Sequence, residues 1–296
     1  MFDFVVKNGT VIDGTGAEPV RADVAINGDK VIAVGHLPVE AARTIDATGL
    51  VVSPGFIDLH AHSDISFLVA PLADSKLRQG VTLELLGNCG MSFCAPMNDK
   101  TLGSFRSWAK RSSPDLEPTW TSFAGYLNAL EQAGSVINIA TQIGHNQIRS
   151  FVMGDVARAP SADELLDMER NVVEALEAGA MGLSTGLYFA PGSYSLTDEV
   201  ISLTLPVAQR DKLYSSHMRS ESDESPGLFT AIQESIEIGR RTGARIEISH
   251  VKAHGPRVWG RSAAILESIT EARREGIDVA GDQYPVALKM QPDACL

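Results

Sequence analysis

The segment Val51–Asp64, VVSPGFIDLHAHSD, sets His60 and His62 two residues apart at the end of an apolar run. Side chains of a strand alternate between faces, so residues i and i+2 point the same way. Two imidazoles at that spacing, where a buried strand ends, are placed to share one metal ion. The plain alternative is an unrelated pair in a loop, but a surface pair needs no apolar strand aimed at it. Three more of the seven histidines, His145, His217 and His250, also fall at or just past predicted strand ends. Cys89 follows the predicted strand Val81–Leu86 across Gly87-Asn88. Imidazole and thiolate both suit zinc, and a catalytic zinc keeps one position open for water. Taken singly, a cysteine after a strand is most often a small buried hydrophobe. A single strand-end histidine is more often a hydrogen-bonded core residue than a ligand. Six such residues at strand ends are much harder to explain that way. His36, His254, Cys94 and Cys295 are read as structural, and His145 either binds substrate or braces a loop.

The elements that must position these residues alternate along the chain. Residues 2–50 read as short strands, Phe4–Val6, Thr10–Ile12, Asp23–Ile26 and Val31–Val34, separated by Asn8-Gly9, Asp13-Gly14 and Asn27-Gly28-Asp29, which favour hairpins. From Val51 onward the rhythm is strand, helix, glycine, strand. Ser161 with Glu164 forms a capping-box signature ahead of Leu165, Met168, Val172 and Leu176 at helical spacing, and Gly179 suits the helix end. Ser225-Pro226 and Ser262 are predicted to open two further helices, closed by Gly243 and Gly276. Such alternation predicts βαβ units and a parallel sheet. Seven core strands are expected, counting Val51–Leu59 as one. An open doubly wound sheet also accommodates seven. The histidines favour a (β/α)8-type barrel, whose C-terminal strand ends meet at one mouth.

One competing motif is present. Gly182-Leu-Ser184-Thr-Gly186 matches the G-x-S-x-G elbow of serine hydrolases, which requires a helix directly after the serine turn. Here Leu187–Ser193 follows, a loop broken by Pro191-Gly192.

Composition excludes several classes. A net charge of −12 over 296 residues argues against nucleic acid or an anionic membrane as partner. No apolar run approaches the ~18 residues of a membrane span, and the start MFDFVVKNGTVIDG shows no secretory signal. Three cysteines make no disulfide framework and suit a reducing cytoplasm.

GFIDLHAHSD (55–64), GNCG (87–90), STGLYFAPG (184–192), SHMRSE (216–221), ISHVKAHG (248–255) and DQYP (282–285) together carry a family likeness. The chain resembles the amidohydrolase superfamily and, within it, the N-acyl-D-amino-acid deacylases (D-aminoacylases). The first motif marks only the superfamily, while GNCG with SHMRSE is far more specific to the deacylase branch. Dihydroorotases and hydantoinases use a carboxylated lysine after strand four, where this chain carries Ser184 with no lysine near it. Cys89 would take over that ligand role.

The resemblance implies a metal-dependent TIM-like (β/α) barrel over 51–296 and, over 1–50, a small β domain forming half of a composite β-sandwich. It implies that His60 and His62 bind one metal position, and that Cys89, His217 and His250 hold the tighter zinc, with one or two Zn2+ in all. Tyr188 and Lys252 would contact the substrate carboxylate. The implied reaction is hydrolysis of the amide of an N-acyl-D-amino acid, and the preference for D over L rests on the resemblance alone. In the family an aspartate at the end of strand eight shuttles the proton. Asp282 is not the matching position and Asp293 has no strand to carry it, so no catalytic residue is assigned. The expectation is therefore a truncated barrel lacking its eighth strand, poorly stable or self-associating through the open edge. A remnant that only binds zinc or a ligand, or an amidohydrolase acting on another amide, are the alternatives.

Overall fold

The structure, a computed structural model, describes residues 1–92, 96–113 and 116–284. Cys94, Cys295, Asp293 and the tail from Pro285 lie outside the described residues. The chain divides into two compact units, Met1–Phe56 and Ile57–Leu296.

The first unit contains β1 (Phe2–Val11), β2 (Val20–Asn27), β3 (Lys30–Gly35), β4 (Ala41–Asp46) and β5 (Val51–Val52). Their order is β3-β2-β1-β4, with β5 also on β1. The β2–β3 hairpin turns at Gly28-Asp29 as the turn chemistry predicts, with Asn27 paired to Lys30. Asn8-Gly9 differs from expectation: it is a bulge inside one long strand, where the β1–β2 register shifts between Val6 and Gly9. Asn8 takes a left-handed φ of 64°. Its backbone N–H donates to Asp23 Oδ1 at 2.9 Å, which anchors the bulge instead of a turn. Strand β4, parallel to β1, was not expected from the sequence.

The next strand is β6 (Phe56–Asp58), so the predicted strand Val51–Leu59 is in fact two, β5 and β6, broken at Pro54-Gly55. Then follow α1 (Ser66–Val69), α2 (Asp74–Leu77), β7 (Val81–Leu86), α3 (Asp99–Ser112), α4 (Phe123–Ala133), β8 (Asn138–Thr141) and β9 (Ile143–Gly144). The remainder alternates: α5 (His145–Met153), α6 (Ala162–Ala178), β10 (Gly182–Gly186), α7 (Thr197–Ala208), β11 (Leu213–His217), α8 (Leu228–Thr242), β12 (Arg245–Ile248), α9 (Ser262–Arg274) and β13 (Val279–Gly281). Two sheets result, β6-β7-β8 and β9-β10-β11-β12-β13. The pairings β7–β8, β9–β10, β10–β11, β11–β12 and β12–β13 are all parallel. This is an α/β unit of parallel sheets. The sheets hand over at Gln142, whose N–H donates to Leu86 O at 3.0 Å. Its side chain donates to Asn88 Oδ1 at 3.0 Å and accepts from Ser215 Oγ at 3.1 Å. One buried amide thus ties segments from both sheets together.

Helix α6 shows how the helices seat. Ser161 and Glu164 form the reciprocal capping box, and Gly179 ends the helix in the left-handed region. Met168, Val172, Ala175 and Leu176 are buried along one face. Ser161→Ala is expected to lower stability by about 1 kcal/mol, the usual worth of such a cap, read as a shift in the urea unfolding midpoint. Helix α8 departs from expectation: it opens at Leu228 behind Gly227, with no side-chain cap at Ser225-Pro226. Among the described residues no helix is long and apolar enough to cross a membrane.

Candidate metal centre

Parallel register brings the strand ends level. Gly186 pairs with His217 across β10–β11, and Ser216 with Ile248 across β11–β12. His217 therefore closes β11, and His250 lies two residues past β12. Cys89 is placed by a turn after β7. Gly90 turns with a φ of +72°, and a Cβ there would meet Asn146 Oδ1 at 2.3 Å. A Cβ on Gly186 would meet the Cys89 carbonyl oxygen at 2.2 Å, so β10 packs directly beneath that turn. Asn88 Nδ2 donates to Leu85 O at 2.7 Å and to Ala61 O at 3.3 Å, tying the His60–His62 loop to the turn.

Two donor groups result, His60–His62–Cys89 and Cys89–His217–His250, each with ligand atoms within 4.8 Å of one another. Cys89 belongs to both. Its Sγ lies 3.3 Å from His60 Nε2 and 3.6 Å from His250 Nε2. His250 Nε2 is 2.9 Å from His217 Nδ1. Cys89, His217 and His250 are buried, His60 half-buried and His62 exposed. Tetrahedral zinc, with bonds of about 2.0–2.3 Å, sets ligand atoms roughly 3.3–3.7 Å apart; the two Cys89 distances match, and the His217–His250 nitrogens, at 2.9 Å, need only part by a few tenths of an ångström. Cys89 and His250 also hold left-handed backbones, with φ of 56° and 39°. Such conformations cost non-glycine residues on the order of 1–3 kcal/mol each and gather at functional sites.

Acidic groups stand behind two of the imidazoles. His250 Nδ1 lies 2.6 Å from Glu221 Oε1, and His60 Nδ1 lies 3.0 Å from Asp282 Oδ2. A neutral imidazole carries one N–H, and a carboxylate can only accept. The His60 ring therefore holds its proton on Nδ1 and turns its Nε2 lone pair towards Cys89, while His250 Nδ1 faces both the Glu221 carboxylate and the Lys252 ammonium, the latter at 3.1 Å. A cluster of converging lone pairs and a thiol sulfur calls for a shared proton or a cation. Burial pushes the Glu221 carboxyl up, but hydrogen bonding to His250 and the Lys252 and His217 charges outweigh it and bring it down to about 2. Burial likewise pushes Asp282 up, and His60, Glu247 and the His250 N–H bring it to about 2. Glu247, buried beneath Asp282, is pushed well up by burial and by the Asp282 charge. Burial also lowers His250, with Glu221 opposing and the Lys252 and His60 charges adding to the lowering.

The other expected residues are distributed as follows. Tyr188 is exposed, with its ring centroid 6.0 Å from that of His217. Phe189 stacks closer, at 4.7 Å. Lys252 Nζ pairs with Glu221 and donates to His250 O at 3.2 Å. His145, open between two roles in the sequence, is fully buried away from the cluster's contacts. Its Nε2 lies 2.8 Å from Glu199 Oε1, and Arg149 Nη1 grips both Glu199 oxygens at 2.8 and 2.7 Å. It braces α5 against α7. Ser184 is no exposed nucleophile: its buried hydroxyl donates to Gly87 O and accepts from Gly90 N at 3.0 Å, supporting the Cys89 turn. Glu221 was not singled out in the sequence, and Asp282 was weighed only as a proton shuttle, not as a partner of His60. Both sit inside the quoted motifs SHMRSE and DQYP, which was the available signal.

Residues 43–212 match the amidohydrolase family. The chain is 41% identical over 285 residues to an N-acyl-D-glutamate deacylase of Alcaligenes xylosoxydans xylosoxydans, covering 96% of this chain and 57% of that protein. A D-aminoacylase of the same organism is 36% identical over the same coverage. The chain thus spans a little over half the length of these relatives. Among solved structures, an N-acyl-D-glutamate deacylase from Bordetella bronchiseptica, complexed with zinc and a phosphonate mimic of the reaction's tetrahedral intermediate, superimposes with a TM-score of 0.86 at 38% identity. That match covers 96% of this chain and 59% of that one. A D-aminoacylase crystal structure gives 0.84 at 37% identity, covering 97% and 59%. D-Hydantoinases share the fold at 16–20% identity, with TM-scores of 0.55–0.57.

Proposed function

The chain belongs to the amidohydrolase family, and on that premise we propose that it is a zinc-dependent hydrolase of N-acyl-D-amino acids, releasing a D-amino acid and a carboxylate. The observation that carries this reading is the meeting of Cys89 with His217 and His250 on one side and with His60 and His62 on the other. Its support is the likeness to deacylases of N-acyl-D-amino acids, one of them complexed with zinc. In this reading β6, β7, the β8–β9 segment and β10–β13 are seven strand positions of a TIM-like barrel whose C-terminal ends carry the site.

Cys89, His217 and His250 would hold the tighter zinc, and His60 and His62, with the same thiolate, a second position. Zinc bound there would polarise the amide carbonyl and bring water's pKa towards neutrality. The protein's own residues orient and bind. Asp282 and Glu221 keep the Nδ1 protons of His60 and His250 and so hold both Nε2 atoms towards the sulfur. Lys252, with Tyr188 across the His217 ring, would receive the substrate's α-carboxylate. An ammonium at that place suits that task in a chain of net charge −12.

The test is direct. The purified 296-residue chain is expected to hold at least one zinc per molecule by elemental analysis. It is expected to release amine from N-acetyl-D-glutamate or N-acetyl-D-methionine but not from the L isomers, and to stop when a chelator is added. Bound zinc without turnover would favour a binding-only protein. A folded sample that neither holds zinc nor turns over would falsify the metal-site reading.

A further inference from the structure

Glu221 is not a member of either donor group, yet it touches a member of one at close range. It lies four residues past His217, on the segment after β11, while His250 and Lys252 follow β12. A single oxygen, Oε1, lies 2.6 Å from His250 Nδ1 and pairs with the Lys252 ammonium, whose Nζ is 3.1 Å from the same ring nitrogen; a carboxylate so close to Nδ1 favours the proton there. Its own carbonyl accepts from the His254 N–H at 2.8 Å, which closes the two segments on each other. The side chain is 14% exposed, so water competes weakly for that oxygen.

We propose that Glu221 is a positioning residue for the metal centre: it fixes the tautomer and rotation of His250, with Lys252 as the counter-charge that keeps the carboxylate in place. The inference rests on the reading of His250 as a zinc ligand. A histidine with Nδ1 tied to a carboxylate presents only Nε2 as a lone pair, and a more basic one. On His250 that atom is the one 3.6 Å from Cys89 Sγ and 2.9 Å from His217 Nδ1. Without the carboxylate the ring can carry its proton on either nitrogen and rotate about χ2. A fraction of molecules would then present N–H where a lone pair is required.

The test is a double-mutant cycle on zinc affinity, measured on the full chain by competition with a chromogenic chelator. Glu221→Gln keeps the shape and removes the charge, and it is expected to weaken zinc roughly 10–100-fold, the range for such outer partners. In a His250→Ala background the same change is expected to cost nothing further, because the ring it acts through is gone. If His250→Ala leaves zinc affinity unchanged, the ligand reading itself fails. If His250→Ala weakens zinc and Glu221→Gln does not, or if the two losses simply add, this proposal is overturned. Should Glu221→Gln fail to fold, Glu221→Asp keeps the charge but withdraws the oxygen. Weakened zinc there supports the proposal and unchanged affinity sinks it.

Discussion

Cys89→Ala abolishes tight zinc binding while the chain stays folded: that is the expected outcome with the largest functional effect. The sulfur is common to both donor groups, within 3.6 Å of a nitrogen from each. No neighbouring residue can replace it, since the left-handed turn that presents it is fixed by Gly90 and by β10 underneath. The loss should exceed the ~10–100-fold that removal of an outer partner costs, because a thiolate ligand itself disappears. Stability without metal should change little. Alanine meets the same positive-φ strain as cysteine, and only one buried sulfur is lost, worth about 1 kcal/mol or less. Chelator competition and a urea melt on the same sample separate the two effects. Zinc affinity within tenfold of the parent chain would remove Cys89 from the centre.

Glu199→Ala should damage stability more than any other single change considered. Its carboxylate is the shared partner of Arg149 and His145, both fully buried. Among the described residues Arg149 Nε and His145 Nδ1 lack partners, and beyond Glu199 the guanidinium keeps only the bond from Nη2 to the Arg158 carbonyl. Removing the acid strands a guanidinium in the core, and breaking such a pair costs roughly 3–5 kcal/mol. Burial pushes Glu199 up, but His145 and Arg149 outweigh it and hold it below its ordinary 4.5. A depressed carboxyl stabilises above its unfolded pKa, and that contribution is lost as the pH falls through the folded value. The gap in unfolding midpoint between parent and variant should therefore be full at pH 7 and narrow below about pH 4.5. A variant that unfolds within ~1 kcal/mol of the parent at pH 7 would show that the cluster carries no such weight.

Local chemistry was legible in the sequence where it is local in space. The Ser161–Glu164 box, the Gly28-Asp29 hairpin and the αβ alternation rest on contacts between near neighbours, and the structure contains them. Asn8-Gly9 misled because its conformation is settled by Asp23, fifteen residues away, and not by the dipeptide. Strand β4 was missed because Ala41–Asp46 has one large apolar residue, Ile45, and gains its partner only through parallel pairing with β1. Histidines at strand ends could be read because a parallel sheet sends successive strand ends to one side. Asp282 could not be tied to His60 in that way: 222 residues separate them, and acids in loops are common. Buried pairs such as His145–Glu199 leave no pattern in the chain, which is why His145 stayed open between two roles.

The distance in sequence between the donors bears on the order of events during folding. Cys89 and His250 meet although they stand 161 positions apart in the chain, and the intervening chain supplies β8 to β12 in turn. Closing so long a loop costs entropy that only packing of the intervening units returns. The centre therefore cannot nucleate the fold. It exists only once the units from β7 to β12 have docked. An ion held at the Cys89–His217–His250 group would report that the units from β7 to β12 are in place.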